Sequence, residues 1–121
     1  TWCGPCRMSL PHLAALSADA ELAKAGLVVY AVDLRETEEK VNAFLKTEKL
    51  NLNVLMDKDG AVAQKYQVRG IPHTVVIGRG GTVRKVLVGF GPQSHETLKS
   101  AVKDAVEEAP PATAPTTAPA R

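Results

Sequence analysis

Two cysteines, Cys3 and Cys6, are the only thiols in the chain, and they lie within Trp2-Cys3-Gly4-Pro5-Cys6. A pair separated by two residues closes a tiny loop, so cross-linking it removes little entropy from the unfolded chain. A stapled scaffold would use several well-separated pairs. Thiol–disulfide exchange is therefore the chemistry expected of this pair. At a helix N-terminus the first cysteine meets unpaired N–H groups and the positive end of the helix dipole, and both favour its thiolate. Cys3 is accordingly expected to be the nucleophile. Cys6, one turn inside the helix, is expected on the same side but less exposed, as the thiol that resolves a mixed disulfide. Gly4 and Pro5 keep that turn tight, and Trp2 offers an apolar platform to a substrate.

Half a zinc site has the same spelling, but zinc needs four ligands. The other candidates, His12, His73 and His95, are scattered singly, so neither a metal nor a cofactor is expected. His12 and His73 are read as tolerated, partly exposed side chains. A second signal is Val68-Arg69-Gly70-Ile71-Pro72, which precedes the β-branched run Thr74 to Ile77. A proline opening a strand limits ladder bonding. It is either an edge or loop proline or a cis Ile71–Pro72 bond, which would turn the Ile71 backbone toward Cys3.

The elements that must position these residues follow from periodicity. Leu13, Leu16, Ala20 and Ala23 predict one helix from about Cys3 to Lys24, kinked at Pro11 and stopped by Gly26. Leu27 to Leu34 predicts a strand buried on both faces. Glu36 to Glu48 predicts a helix with Val41, Phe44 and Leu45 inward and its charges solvated. A short strand at Asn53 to Met56, an Asp59-Gly60 turn and a short helix carrying Val62 and Tyr66 come next. Thr74 to Ile77 and Val83 to Val88 form a hairpin about Gly80-Gly81. Ser94 to about Glu107 closes the series as a helix with Leu98, Ala101, Val102, Ala105 and Val106 buried and Ser94 as its cap. Alternating helices and strands argue for an α/β sheet. Residues 1–108 are assigned to one domain. Residues 109–121, almost entirely Pro, Ala and Thr, cannot bury a core and are assigned to a disordered tail.

The chain of 121 residues carries a net charge of +2 without a basic run or an aromatic-interleaved basic stripe, which argues against a direct nucleic-acid interface. No apolar run approaches the roughly 18 residues of a membrane span. The motif begins at the second residue and the chain starts with Thr1, so the sequence is read as part of a longer protein, and an upstream leader or anchor is compatible with it.

WCGPC followed by GIP and an apolar strand resembles the thioredoxin superfamily. CGPCRMSLPHL, with Arg7 and Pro11 in that register, together with MDKDGAVAQKYQVRGIPHTVVIGRGGTVRKVLVGF, resembles its TlpA/ResA group of bacterial extracytoplasmic thiol–disulfide oxidoreductases. The resemblance spans about residues 1 to 106. It implies a thioredoxin-like three-layer α/β/α sandwich, whose central strand before the Cys-x-x-Cys helix would lie ahead of Thr1. It also implies a reversible Cys3–Cys6 disulfide, with Trp2, Gly4, Pro5 and a cis Pro72 as active-site support. Trp2, Gly70, Ile71 and Pro72 would bind substrate. The family's buried acidic proton shuttle has no residue assigned to it, and His73 stands where threonine is common.

By that resemblance the activity is protein-disulfide reduction in the periplasm or cell envelope, as in cytochrome c maturation. Its partners would be protein disulfides and a membrane or soluble thiol electron donor. The Gly-Pro dipeptide matches reducing thioredoxins, with potentials of about −270 mV; an oxidant or isomerase would use the same residues at a higher potential. The alternative is a thioredoxin-like binding module of a larger protein with idle cysteines. Lacking its central strand, the sheet is expected to expose unpaired edges and to associate.

Overall fold

The cysteine-bearing helix forms where expected but ends sooner. In the computed structural model, which describes residues 1–109, α1 spans Gly4–Ala18 and a short α2 spans Ala20–Lys24. Pro11 is accommodated inside α1, and the break falls at Asp19. Its backbone is extended (φ −69°, ψ 113°), and its Oδ1 accepts the N–H groups of Glu21 and Leu22 at 2.9 and 3.0 Å. A short acidic side chain competes with the backbone for such donors, so it starts a new helix instead of continuing the old one. Gly26, at φ +104°, takes the left-handed conformation that lets the chain leave α2.

The remaining elements are β1 (Tyr30–Leu34), α3 (Glu38–Glu48), β2 (Asn53–Asp57), α4 (Ala61–Lys65), β3 (His73–Ile77), β4 (Val83–Val88) and α5 (Ser94–Glu107). β1 and β2 pair in parallel, with Tyr30 opposite Asn53 and Leu34 opposite Asp57. β3 and β4 are antiparallel, with His73 opposite Val88 and a bulge between Val76 and Ile77. Among the described residues these are two separate two-stranded sheets, and no strand leads into α1, because Thr1 to Cys3 lack regular structure. The tail assigned to 109–121 lies, apart from Ala109, outside the described residues.

Two expectations are corrected. The run ending in β1 is not buried on both faces: Val28, Tyr30 and Val32 are exposed, and so is Leu55, the register partner of Val32. β1 is hydrogen-bonded to β2 alone among the described strands, and that shared face is left uncovered. Ser94 does not cap α5. Gln93 holds the cap position without a side-chain bond, and the Ser94 hydroxyl accepts the Gly91 N–H at 2.7 Å. As the first helical residue, Ser94 points its oxygen back at the loop rather than at the helix N–H groups.

The core lies where α1 and α5 meet β3. Leu16, Val76, Leu98 and Val102 are buried together, with Leu13, Leu22, Leu27, Leu87, Ala101 and Ala105 packed around them. Full burial of one such aliphatic side chain stabilises by about 1.5–3 kcal/mol, so this cluster fixes how the redox helix sits on the hairpin. Asp57 anchors the other side. It is 4% exposed, and its two carboxylate oxygens accept the Val62 and Ala63 N–H groups at 3.2 and 2.8 Å. That contact starts α4, whose end feeds the Val68–Pro72 loop through a bond from the Val68 N–H to the Ala63 carbonyl at 2.9 Å.

Arg79, at the hairpin turn, ties two helix C-termini together. Its guanidinium donates to the carbonyls of Ala25 and Val106 at 2.7 Å and of Glu108 at 3.0 Å. A cation there meets the negative ends of α2 and α5 and satisfies carbonyls that no helical N–H reaches. Arg79→Ala is expected to cost about 1–2 kcal/mol. In a thermal melt that corresponds to a fall in midpoint of roughly 4–8 °C per kcal/mol. An unchanged midpoint would show that water replaces all three bonds without loss.

Candidate active site

The local sequence places Cys3 as the N-cap of α1. Its backbone is extended (φ −82°, ψ 110°), Pro5 falls in the first turn, and Cys3 Sγ accepts the Cys6 N–H at 3.2 Å. A capping position normally goes to an oxygen acceptor; here sulfur occupies it. The first-turn N–H that would stabilise a Cys3 thiolate is thus already aimed at that sulfur. Cys3 and Cys6 form a disulfide with Cα atoms 5.2 Å apart.

The expected order of exposure is reversed. Cys3 is 6% exposed, whereas Cys6 is half-buried. The cap geometry folds Cys3 over the helix end that it closes, while Cys6 sits on the side of the first turn. Trp2 is 72% exposed and Gly4 and Pro5 are also exposed, so the rim around the disulfide is open and apolar.

The second motif reaches the same end of the molecule. Leu16 of α1 packs with Val76 of β3, and one turn or more earlier Ser9, His12 and Leu13 line a small cavity with Thr74, Leu87 and Gly89. α1 and β3 therefore run alongside in the same sense, which sets the Cys3–Cys6 end of the helix at the Pro72 end of the strand. The Ile71–Pro72 peptide is cis, Pro72 is buried, and its carbonyl accepts the Gly89 N–H at 2.7 Å. Among the described residues no backbone group pairs with the N–H or carbonyl of Ile71, and Gly70 is exposed.

Several neighbours carry more than the sequence suggested. His12 is stacked on Phe90, with ring centroids 5.5 Å apart, and lies 4.1 Å from the ring of His95; the three rings join α1 to α5 and to the chain after β4. His73 is partly exposed, as expected, although both of its ring nitrogens are buried without a partner among the described residues. Ser9 is buried, and its hydroxyl donates to the Cys6 carbonyl at 3.0 Å. Arg7 reaches across to Glu48 at 2.5 Å and lies over the Phe44 ring; as an exposed pair it is worth about 0–1 kcal/mol.

Two carboxyls lie beside Thr1: Asp33, in the run read as a strand, and Glu36, at the start of the segment read as a helix with solvated charges. Burial, then hydrogen bonding and repulsion from Glu36, push Asp33 above the ordinary aspartate range. Glu36 accepts a hydrogen bond from the Thr1 hydroxyl. Glutamate at the turn between a strand and a threonine-capped helix was the available signal for this contact. Among the described residues, no three His, Cys, Asp or Glu side chains gather as a metal site, and no helix is long and apolar enough to cross a membrane.

Comparison with known proteins agrees with this geometry. Residues 1–86 match the AhpC/TSA family. The chain is 33% identical over 89 residues to the thiol-disulfide oxidoreductase ResA of Bacillus subtilis, covering 74% of this chain and 49% of that protein. It is 32% identical over 89 residues to the thioredoxin-like protein YneN of the same organism, covering 74% of this chain and 52% of that protein. The chain thus spans about half the length of the curated relatives it matches. A crystal structure of a thiol:disulfide interchange protein DsbE from Chlorobium tepidum superposes with a TM-score of 0.78 at 32% identity, covering 87% of this chain and 73% of that one. StoA from Bacillus subtilis superposes with a TM-score of 0.64 at 25% identity, covering 83% and 74% of the two chains. The chain belongs to the AhpC/TSA family, and its fold is thioredoxin-like.

Proposed function

We propose that the protein carrying this chain is a thiol–disulfide oxidoreductase that reduces disulfides in other proteins, with Cys3 as nucleophile and Cys6 as resolving thiol. The observation that carries the reading is the capping geometry: the Cys6 N–H points at Cys3 Sγ from the first turn of α1. In the dithiol form that N–H and the helix dipole stabilise a Cys3 thiolate. The thiolate attacks one sulfur of a substrate disulfide, forms a Cys3–substrate mixed disulfide and releases the first substrate thiolate. Cys6, deprotonated, then attacks Cys3 Sγ, closes the Cys3–Cys6 disulfide and releases the second. Two electrons pass to the substrate, its two thiolates take up protons, and an external thiol donor must restore the dithiol.

The residues around the couple suit an extended substrate. Trp2, Gly4 and Pro5 present an open apolar rim, and the free Ile71 backbone groups beside Gly70 and Pro72 are suited to pairing with a strand that carries the target cysteine. The names of the relatives, thiol-disulfide oxidoreductase and thiol:disulfide interchange protein, support the same reaction. The resemblance to the TlpA/ResA group extends this proposal to an extracytoplasmic, cell-envelope setting, with cytochrome c maturation as one pathway that consumes such reducing power.

The first test is the equilibrium reduction potential of the Cys3–Cys6 pair, measured by thiol trapping in graded dithiol buffers. A value near the thioredoxin range, about −270 mV, is expected. A value well above the glutathione range, about −220 mV or higher, would make the protein a disulfide donor or isomerase and end the reductant reading.

A further inference from the structure

The two stretches that frame the disulfide carry cations and no acidic residue. From Thr1 to Ala18 the only charged side chain among Lys, Arg, Asp and Glu is Arg7, and from Ala61 to Ile77 the only ones are Lys65 and Arg69. Arg7 is paired with Glu48. The carboxylates that touch the second stretch, Asp57 and Asp59, accept the N–H groups of Ala61, Val62 and Ala63 at the start of α4, the end away from Arg69. Lys65 and Arg69 are exposed, and among the described residues neither pairs with a carboxylate. The loop that carries Arg69 is anchored on both sides. It leaves α4 through Gln67, at φ +58°, with the Gln67 N–H bonded to the Gln64 carbonyl at 3.0 Å and the Val68 N–H to the Ala63 carbonyl at 2.9 Å. A left-handed residue between such bonds makes a defined helix stop. At the other end Pro72 is buried and its carbonyl accepts the Gly89 N–H at 2.7 Å.

Arg69 stands two residues before Ile71, whose backbone N–H and carbonyl have no backbone partner among the described residues. Two residues of chain reach at most about 7 Å, which is inside the Debye length of about 10 Å at 0.1 M salt. A strand that paired with Ile71 would run about 5 Å from it, so the residues beside its cysteine would lie in the field of an uncompensated guanidinium. A guanidinium binds a carboxylate through two parallel hydrogen bonds and repels a second cation. We propose that Arg69 is a specificity-determining residue of the redox site, selecting extended substrate segments that carry Asp or Glu beside the target cysteine; this rests on the redox reading above and deepens it by naming the class of substrate. Trp2 and Pro5 accept the apolar part of such a segment, and Arg69 sorts it by charge.

The test uses the full-length protein that carries this chain. Its reduced form is mixed with short peptides that differ only in whether Asp or Lys flanks a single cysteine, each capped as a disulfide with 2-mercaptoethanol. Attack by Cys3 and closure by Cys6 break that disulfide and release both thiols. Each rate is divided by the rate with uncharged hydroxyethyl disulfide, so that a general change in the couple cancels. At low ionic strength the Asp peptide is expected to react about threefold to tenfold faster than the Lys peptide. The difference should shrink toward unity near 1 M salt, where the Debye length is about 3 Å. Differences intrinsic to the peptides are the same for every variant, so the change in the Asp/Lys ratio is what decides. Arg69→Lys is expected to keep the ratio, Arg69→Gln to lower it about twofold to threefold, and Arg69→Glu to invert the preference. A merely structural role would slow both peptides alike. An Asp/Lys ratio that Arg69→Glu leaves unmoved, or one that salt leaves unmoved, overturns the proposal. The same peptides with serine in place of cysteine, followed by fluorescence anisotropy, make the comparison without thiol chemistry. Failure to react with hydroxyethyl disulfide counts against the redox reading, whereas equal affinity of the unaltered protein and Arg69→Glu for the Asp peptide counts against this one, so the two failures are distinguishable.

Discussion

Replacing Cys3 with serine is expected to abolish disulfide exchange, lowering the rate by at least about a thousandfold, because a serine hydroxyl is not ionised near neutral pH and is a far weaker nucleophile than a thiolate. The fold should tolerate the change, since serine is itself a preferred N-cap and its oxygen can accept the Cys6 N–H that now meets sulfur. Cys6→Ser makes the complementary case. It leaves the Cys3 attack intact and removes the resolving step, so a mixed disulfide with substrate should accumulate and be visible on a non-reducing gel. The pair of variants also decides between an enzyme and a docking module with idle cysteines. If a partner binds the unaltered chain and Cys3→Ser equally, with no disulfide turnover to lose, the enzyme reading fails. Loss of turnover in Cys3→Ser together with trapping in Cys6→Ser assigns the two sulfurs their separate roles.

Why this site was legible in the sequence, while its surroundings were not, has a physical basis. Cys3, Pro5 and Cys6 owe their behaviour to one helix turn, and local rules of capping, dipole and proline placement act within that turn. The hairpin from β3 to β4 was equally local: β-branched runs on either side of Gly80-Gly81 left little choice of register. The break of the first helix at Asp19 was local too, but the apolar spacing of Leu16, Ala20 and Ala23 outweighed a capping signal that a single aspartate carries weakly. The exposure of β1 was beyond any local rule. Val28, Tyr30 and Val32 look like a buried strand because their side chains suit one, and only the placement of neighbouring strands shows that their face is uncovered. His12 and His95 belong to the same class. Each lies on a helix whose own pattern is ordinary, and each acquires its role from the opposite helix.

The small extent of the core makes Leu98→Ala the stability change of greatest expected effect. Leu98 is 7% exposed and sits with Leu16, Val76 and Val102, and no side chain among the described residues is buried below 2%. Truncating a buried leucine costs about 2–5 kcal/mol through lost transfer energy and the cavity left behind, against total stabilities that run at about 5–15 kcal/mol for a domain. In a core of four buried residues the loss is expected to take a large share of the total. Urea unfolding at fixed pH should therefore show a markedly lower midpoint with a similar slope. Val32→Ala is the control: it changes an exposed residue on β1 and should stay within about 0.5 kcal/mol. The consequence should extend to function, because Leu16 rests on this cluster and holds α1 in register with β3. A loosened α1 no longer sets the Cys3–Cys6 end against Pro72, so exchange with a protein disulfide should fall more than exchange with a small one. Equal losses for both substrates would mean that the core supports the fold without setting the register of the site.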